Sequence, residues 1–206
     1  VVLPATGRPL ASLPPVVAQL PGIRYAITSN GASVWDLGSD PLGCVYSRYS
    51  NAAEGETSDP ICLIQNVFPV QKAREVFALF QEYDGRMSVF SDGYSVKDEH
   101  GIRLTARFAK QTSTEANQPD DGRFTVVRDL AEWMSRHAHE VEKFCMFFET
   151  RERAQAALPR FLALQDVEVV QGCPENIEIT PRGIDKGSAL LILADRLGIP
   201  REATVA

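Results

Sequence analysis

Two short segments carry residue types that could hold an anion. Thr6-Gly7-Arg8 follows the apolar run Val1-Val2-Leu3 and precedes a run with helical spacing. A hydroxyl, a glycine amide and a guanidinium would then lie at the carboxyl edge of a sheet, where open α/β sheets bind ligands. Such groups can cradle and neutralise an anionic oxygen. An ordinary strand-to-helix turn is the alternative.

The second segment is the predicted start of a helix at Asp185-Lys186. Asp185 is a suitable N-cap, but a lysine in the first turn opposes the helix dipole. A bound phosphate would resolve that conflict, because the lysine and the free helix amides would hold it together. A solvated lysine is the alternative when this segment is taken alone.

Other candidate sites are weaker. His137 and His139 are two residues apart and would face different sides of a helix, and we interpret these two and His100 as surface residues. Asp120-Asp121-Gly122 has the composition of an acidic turn without EF-hand spacing. The sequence contains no G-x-S-x-G, P-loop or Rossmann glycine motif.

The elements around these segments alternate between helices and strands. Apolar residues from Leu10 to Leu20 have helical spacing and predict a helix with Ser12 as its N-cap, ended by Pro21-Gly22. Asn30-Gly31 predicts a sharp turn between two short strands. Further helices are predicted over residues 70–83, after Asp129, from Thr150 to 164 and after Asp185, and strands over residues 87–90, 124–127, 141–148, 167–170 and 176–180. Residues 112–121 are predicted to form a surface loop.

This order predicts an α/β protein with a partial Rossmann-like core and an inserted α+β module. The polar stretch after Cys44 suggests a domain boundary, so we assign residues 1–45 and 172–206 to the core and 46–171 to the insertion. The apolar start at Val1 and the end at Ala206 resemble interrupted strands. We expect the chain to continue at both ends, with short edge strands as the alternative.

Composition limits the partners. The 206 residues carry 21 basic and 27 acidic side chains, a net charge of −6, without a basic run, which argues against a nucleic-acid surface and favours a small-molecule ligand. The four cysteines form no C-x-x-C pair, and we interpret them as reduced, with Cys145 inside an apolar run. Without a signal region or an 18-residue apolar stretch, a cytoplasmic protein without a membrane partner is expected. Oligomeric state is not indicated.

Three segments together resemble the Cof-type phosphatases of the haloacid dehalogenase superfamily. They are Leu3-Pro4-Ala5-Thr6-Gly7-Arg8-Pro9, Ile27-Thr28-Ser29-Asn30-Gly31-Ala32 and the stretch from Glu178 to Leu190, which contains Asp185-Lys186-Gly187-Ser188. Their order and separation match that family, and the resemblance spans nearly the whole chain. Residues between them match only as a variable cap of the C2 type.

The resemblance implies a magnesium-dependent hydrolysis of small phosphate monoesters through an aspartyl-phosphate. It implies that Thr6 is the phosphate-binding hydroxyl and Lys186 the phosphate-binding lysine, both catalytic, with Gly7, Arg8, Asn30 and Gly31 near the phosphate or substrate. A small phosphorylated metabolite, such as a sugar phosphate or a phosphorylated cofactor, would be the substrate. Cap side chains would set substrate specificity, but no motif in the cap indicates a particular substrate.

The chain departs from the family at two motifs. The Asp-x-Asp-Gly-Thr loop would lie before Val1 and the Gly-Asp-x-x-Asn-Asp loop after Ala206, so the magnesium ligands are expected outside the chain and the 206 residues themselves are expected to be inactive. A non-catalytic phosphate-binding or interaction domain is one alternative. A sucrose-phosphate or mannosyl-phosphoglycerate phosphatase is another.

Overall fold

The chain divides into two compact units in a computed structural model, which describes residues 1–39, 41, 60–109 and 124–206 and only the backbone at 105–109. The first unit combines Val1–Asn66 with Gly183–Ala206, and the second is the continuous stretch Val67–Arg182. The α/β class predicted from the sequence is confirmed, and the second unit is an α+β module. Cys44, the acidic turn at 120–122 and the predicted loop at 112–121 lie outside the described residues.

Nine strands occur in the described ranges: β1 (Tyr25–Thr28), β2 (Ser33–Asp36), β3 (Ile61–Gln65), β4 (Arg86–Ser91), β5 (Tyr94–Asp98), β6 (Thr125–Val127), β7 (Val141–Phe147), β8 (Val167–Val170) and β9 (Asn176–Pro181). The α-helices described are α1 (Pro15–Ala18), α2 (Val70–Gln81), α3 (Glu99–Ala109), α4 (Leu130–His137), α5 (Arg151–Leu162) and α6 (Lys186–Arg196). Short 3-10 helices cover Leu10–Ser12, Ser29–Gly31, Ala138–Glu140 and Arg201–Ala203.

In the first unit, β1, β2 and β3 form an antiparallel sheet in that order. The predicted turn between two strands is confirmed, because β1 and β2 flank Asn30-Gly31 and pair Thr28 with Ser33. Val2 and Ala5 bridge to Ile23 and Ile27 in parallel, which places the first residues alongside β1. Helix α6 covers this sheet through its apolar face, with Ala189 and Leu193 packed against Tyr25, Ile27 and Val34.

The first predicted helix is shorter than expected. Leu10–Ser12 is a 3-10 turn, Leu13 and Pro14 are extended, and α1 begins only at Pro15. The cause is the Pro14-Pro15 pair, because a residue before proline is disfavoured in the helical region. Leu10 and Leu13 are buried as predicted, whereas Val16 and Leu20 are exposed, so the helical spacing was a misleading signal.

The apolar residues at the start are also not buried in a strand. Val1 and Val2 are 78% and 70% exposed, and Val2 makes a single isolated bridge. With Leu193, Leu197 and Val205 they line an open apolar cavity of about 310 Å³.

The second unit is built on a six-stranded sheet in the order β6-β5-β4-β7-β9-β8, antiparallel except for the β5–β6 pair. Helices α2, α4 and α5 bury their apolar faces on one side of it, around Phe80, Phe144 and Phe161. The predicted caps are confirmed: Asp129 accepts hydrogen bonds from Ala131 and Glu132 amides, and Thr150 accepts one from the Arg153 amide.

The unit boundaries differ from the predicted ones. Strand β3 pairs with β2 and so belongs to the first unit, which moves the first boundary from 45/46 to 66/67. Strand β9 pairs with β7 and β8 and so belongs to the second, which moves the other boundary from 171/172 to 182/183. The alternation of apolar and polar residues predicts a strand but does not say which sheet the strand joins.

In the described ranges, none of the helices has both the length and the apolar character needed to cross a bilayer.

Candidate functional site

The segment Thr6-Gly7-Arg8, called the Thr6 loop below, is fixed to the end of β1 by backbone hydrogen bonds. The Ile27 amide donates to the Pro4 carbonyl, and the Thr6 amide donates to the Ile27 carbonyl, each at 2.9 Å. The half-buried Thr6 hydroxyl accepts a bond from the Arg8 amide at 3.1 Å. Because this segment runs parallel to β1, residues 6–8 lie where the two segments end, as the sequence predicts.

The turn after β1 holds the Thr6 loop from the other side. Ser29, Asn30 and Gly31 have φ angles of 52°, 60° and 103°, a run of left-handed conformations. The Ser29 amide donates to the Arg8 carbonyl at 2.9 Å, and the Asn30 amide donates to the Thr6 carbonyl at 3.2 Å. The second family-like segment is therefore bonded directly to the first.

The start of α6 carries Lys186 and is tightly capped. The Asp185 carboxylate accepts a bond from the Ser188 amide at 2.8 Å, and the Ser188 hydroxyl accepts one from the Asp185 amide at 3.1 Å. This capping box confirms the predicted N-cap and satisfies two amides of the first turn. Lys186 is the first residue of the helix and is exposed.

Gly31 joins the turn to this helix start. A Cβ atom at Gly31 would lie 2.2 Å from the Asp185 carbonyl oxygen and 3.0 Å from the Lys186 nitrogen. The backbone of Gly31 therefore packs directly on the Asp185–Lys186 peptide. All three segments singled out in the sequence thus meet within the first unit.

The structure brings the six predicted residues onto three touching backbone segments. They are Thr6, Gly7, Arg8, Asn30, Gly31 and Lys186. Within the described part of the chain, neither the Arg8 guanidinium nor the Lys186 ammonium has an ion-pair partner, and both residues are exposed. Two cations, a hydroxyl and main-chain amides suit a phosphate group.

A metal does not fit the described residues. Among residues 1–39, 41, 60–109 and 124–206, no three His, Cys, Asp or Glu side chains come close enough to hold an ion. Asp185, the acid beside Lys186, already accepts a hydrogen bond from its own helix.

The three histidines are all in the second unit. His137 and His139 both contact the Glu140 carboxylate at 3.2 Å, and His100 lies 3.4 Å from Asp84. All three side chains are more than a third exposed, as predicted for surface residues.

A second group of charges lies on the six-stranded sheet, and our sequence reasoning did not single it out. Lys143 lies on the same face of β7 as Cys145, and its ammonium lies 2.8 Å from the Glu178 carboxylate on β9. Lys143 and Lys97 are 1% and 2% exposed, and Arg86 is 6% exposed. Polar residues at alternate positions of β4, β5, β7 and β9 were the available signal, since side chains two apart share a face.

This polar face surrounds the thiol of Cys145. Burial, and then the Glu178 charge, raise the pKa of the Cys145 thiol to about 12, while the charges of Lys143, Arg86 and Lys97 act in the opposite direction. The thiol therefore stays protonated at neutral pH and is no nucleophile. The prediction that Cys145 is a small buried residue is confirmed.

Comparison with known proteins identifies the family. The family model for haloacid dehalogenase-like hydrolases matches residues 56–206, which is most of the chain. The chain belongs to this family. No curated protein sequence matches it.

Solved structures of this superfamily share the fold. A haloacid dehalogenase-like hydrolase from Bacillus subtilis is 18% identical with a TM-score of 0.70, and the match covers 97% of this chain and 67% of that one. A protein described as a HAD/COF-like hydrolase from Plasmodium vivax is 12% identical with a TM-score of 0.70, covering 98% and 63%. The subclass IIB sugar phosphatase BT4131 is 16% identical with a TM-score of 0.59, covering 98% and 64%.

These identities are too low to show more than the fold. The chain spans about two thirds of the length of each solved relative. The haloacid dehalogenase-like fold expected from the sequence is thus confirmed.

Proposed function

We propose that the chain supplies the phosphate-binding part of a magnesium-dependent phosphatase of the Cof-type branch, acting on small phosphate monoesters through an aspartyl-phosphate. The observation that carries this proposal is the meeting of three segments: the Thr6 carbonyl accepts a bond from Asn30, and Gly31 packs on Asp185–Lys186. The family membership of the chain supports the same reaction class.

Thr6 and Lys186 are the residues proposed to contact the phosphate. The Lys186 ammonium would partly neutralise the phosphate charge, and the Thr6 hydroxyl would donate to a phosphate oxygen, because the hydroxyl oxygen already accepts from the Arg8 amide. Fixed donors of this kind stabilise the charge on a transferring phosphoryl group. Gly7, Arg8, Asn30 and Gly31 line the same segments and are proposed as phosphate or substrate neighbours.

The polypeptide of 206 residues is proposed to bind phosphate without cleaving esters. The described residues offer no acidic cluster for magnesium, and the family's two aspartate loops are absent from the sequence. Purified chain with p-nitrophenyl phosphate and Mg²⁺ is expected to release no p-nitrophenol. Metal-dependent release would contradict this part of the proposal.

The substrate is proposed to be a sugar phosphate or a phosphorylated cofactor. The fold shared with a sugar phosphatase supports that class, and the net charge of −6 weighs against nucleic acid.

Three described cysteines are free, which fits the cytoplasm as the proposed location. No membrane partner is proposed.

Calorimetric titration with inorganic phosphate tests the binding site. We expect millimolar phosphate to bind, Lys186→Met to weaken binding about 10- to 100-fold, and Thr6→Val to weaken it by less, as for the loss of charged and neutral hydrogen bonds. Arg201→Met is the matched control, since Arg201 is an exposed cation of the same unit. If Arg201→Met and Lys186→Met lower the phosphate affinity equally, the binding is nonspecific charge attraction and the proposed site is refuted.

A further inference from the structure

The turn Ser29–Gly31 is the common neighbour of both proposed phosphate contacts. Its amides bind the carbonyls of Thr6 and Arg8 on one side, and Gly31 packs on the Asp185–Lys186 peptide on the other. The turn is buried at Ser29 and Gly31 and left-handed at all three residues. It therefore connects the Thr6 loop to the start of α6 without a flexible side chain in between.

The contact at Gly31 leaves no room for a side chain. A Cβ atom there would be 2.2 Å from the Asp185 carbonyl oxygen and 2.4 Å from its carbonyl carbon, both backbone atoms. Backbone held by a capping box cannot turn away as the end of a side chain can. A methyl group would instead push the helix start, and Lys186 with it, by roughly 1 Å to restore ordinary van der Waals contact.

We propose that Gly31 is a positioning residue, which sets the spacing between the Thr6 hydroxyl and the Lys186 ammonium by letting the helix start rest on the turn. This inference rests on the function proposed above, because the spacing matters only if both groups hold one phosphate. A displacement of about 1 Å is enough to weaken an oriented contact strongly.

Gly31→Ala is the test, and Gly22→Ala is its matched control. Gly22 is in the same unit and also has a positive φ, 81°, but a Cβ atom there would meet nothing within 4 Å. Both variants carry the strain of a left-handed alanine, and only Gly31→Ala carries the collision. We expect Gly31→Ala to lower the affinity for inorganic phosphate about tenfold, and Gly22→Ala to leave it within about twofold.

A double variant separates positioning from general damage. If Gly31 acts through Lys186, Gly31→Ala in a Lys186→Met background will lower phosphate affinity no further. If the two losses instead multiply, Gly31 does not act through Lys186 and the inference is overturned. Unfolding in urea, followed in parallel, shows that each variant is folded at the temperature of the titration.

Ser188→Ala serves if Gly31→Ala does not fold. It removes the hydroxyl that accepts from the Asp185 amide, and so loosens the same helix start without a collision. We expect a loss of about threefold in phosphate affinity that disappears in the Lys186→Met background. Unchanged affinity in folded Ser188→Ala would overturn the inference.

The outcomes distinguish this inference from the proposed function. If the unaltered chain does not bind phosphate, or binds it without dependence on Lys186, the proposed function fails. If Lys186→Met loses phosphate while folded Gly31→Ala behaves like Gly22→Ala, the binding site stands and only the positioning role is refuted.

Discussion

Replacement of Glu178 by glutamine is expected to destabilise the second unit strongly. The ammonium of Lys143 lies 2.8 Å from Glu178 and is 1% exposed, so the variant removes a carboxylate from a cation that water does not reach. Removing one partner of a buried pair costs about 3–5 kcal/mol. Because Lys143 also lies over the Phe90 ring, we expect the lower end, about 3 kcal/mol.

The reverse replacement is expected to cost less. Lys143→Met leaves Glu178, which is 13% exposed and accepts a hydrogen bond from the side-chain Nδ2 of Asn176 at 3.0 Å. Because this carboxylate is partly hydrated and hydrogen-bonded, we expect Lys143→Met to lower the free energy of unfolding by only about 2 kcal/mol. The double variant with Glu178→Gln should cost about 1–2 kcal/mol, well below the sum, because it removes both charges of the pair together.

Urea unfolding with tryptophan fluorescence measures these losses. The chain has two tryptophans, Trp35 in the first unit and Trp133 in the second, so a Trp35→Phe background makes the signal report on the second. A loss of about 3 kcal/mol moves the midpoint by roughly 1–2 M urea for a domain of this size. Additive losses, or a Glu178→Gln variant less affected than Lys143→Met, would refute the reasoning about burial.

Three further outcomes are expected. Thr28→Val should cost about 1–3 kcal/mol in thermal unfolding, because it removes the oxygen that accepts from the buried Trp35 indole at 3.0 Å, and a variant as stable as the original would contradict this. Asp129→Ala should cost about 1 kcal/mol in urea unfolding through loss of the α4 cap, whereas Asp129→Asn should cost little. Folding raises the pKa of the Cys145 thiol from near 9 to about 12, so with rising pH the unfolded chain loses this proton before the folded chain does. The free energy of unfolding should therefore fall as the pH rises from about 9 to about 12. Cys145→Ala should show a smaller fall in unfolding free energy between pH 9 and 11, and an equal fall in both proteins would exclude the thiol as the cause.

The local parts of the fold were predictable because single residues determine them. Asn30-Gly31 tolerates positive φ and fixed a turn, while Asp129, Thr150 and Asp185 satisfied helix amides wherever they preceded a helix. Thr6 and Lys186 were assigned to one site through the resemblance of their segments to the Cof-type phosphatases, because no local pattern in either segment links it to the other.

The remaining features depend on partners distant in the sequence. The alternating pattern of β9 is the same whether it pairs with β7 or with a strand of the first unit. The burial of Lys97 and Lys143 could not be predicted from the sequence either, because lysine is usually exposed and the residues that surround these two come from separate strands. Gly31 was singled out for its turn, and the contact with Asp185 was not visible from that signal.

The discontinuous first unit has a consequence for synthesis on the ribosome. Val1–Asn66 emerges early, but Ala189 and Leu193, which cover its sheet, follow only after the whole of Val67–Arg182 has been made. At about 5–20 residues per second, this leaves the early sheet uncovered for roughly ten seconds. The nascent chain therefore exposes Tyr25, Ile27 and Val34 of β1 and β2 during that interval, and a chaperone that binds apolar strands would find its target there.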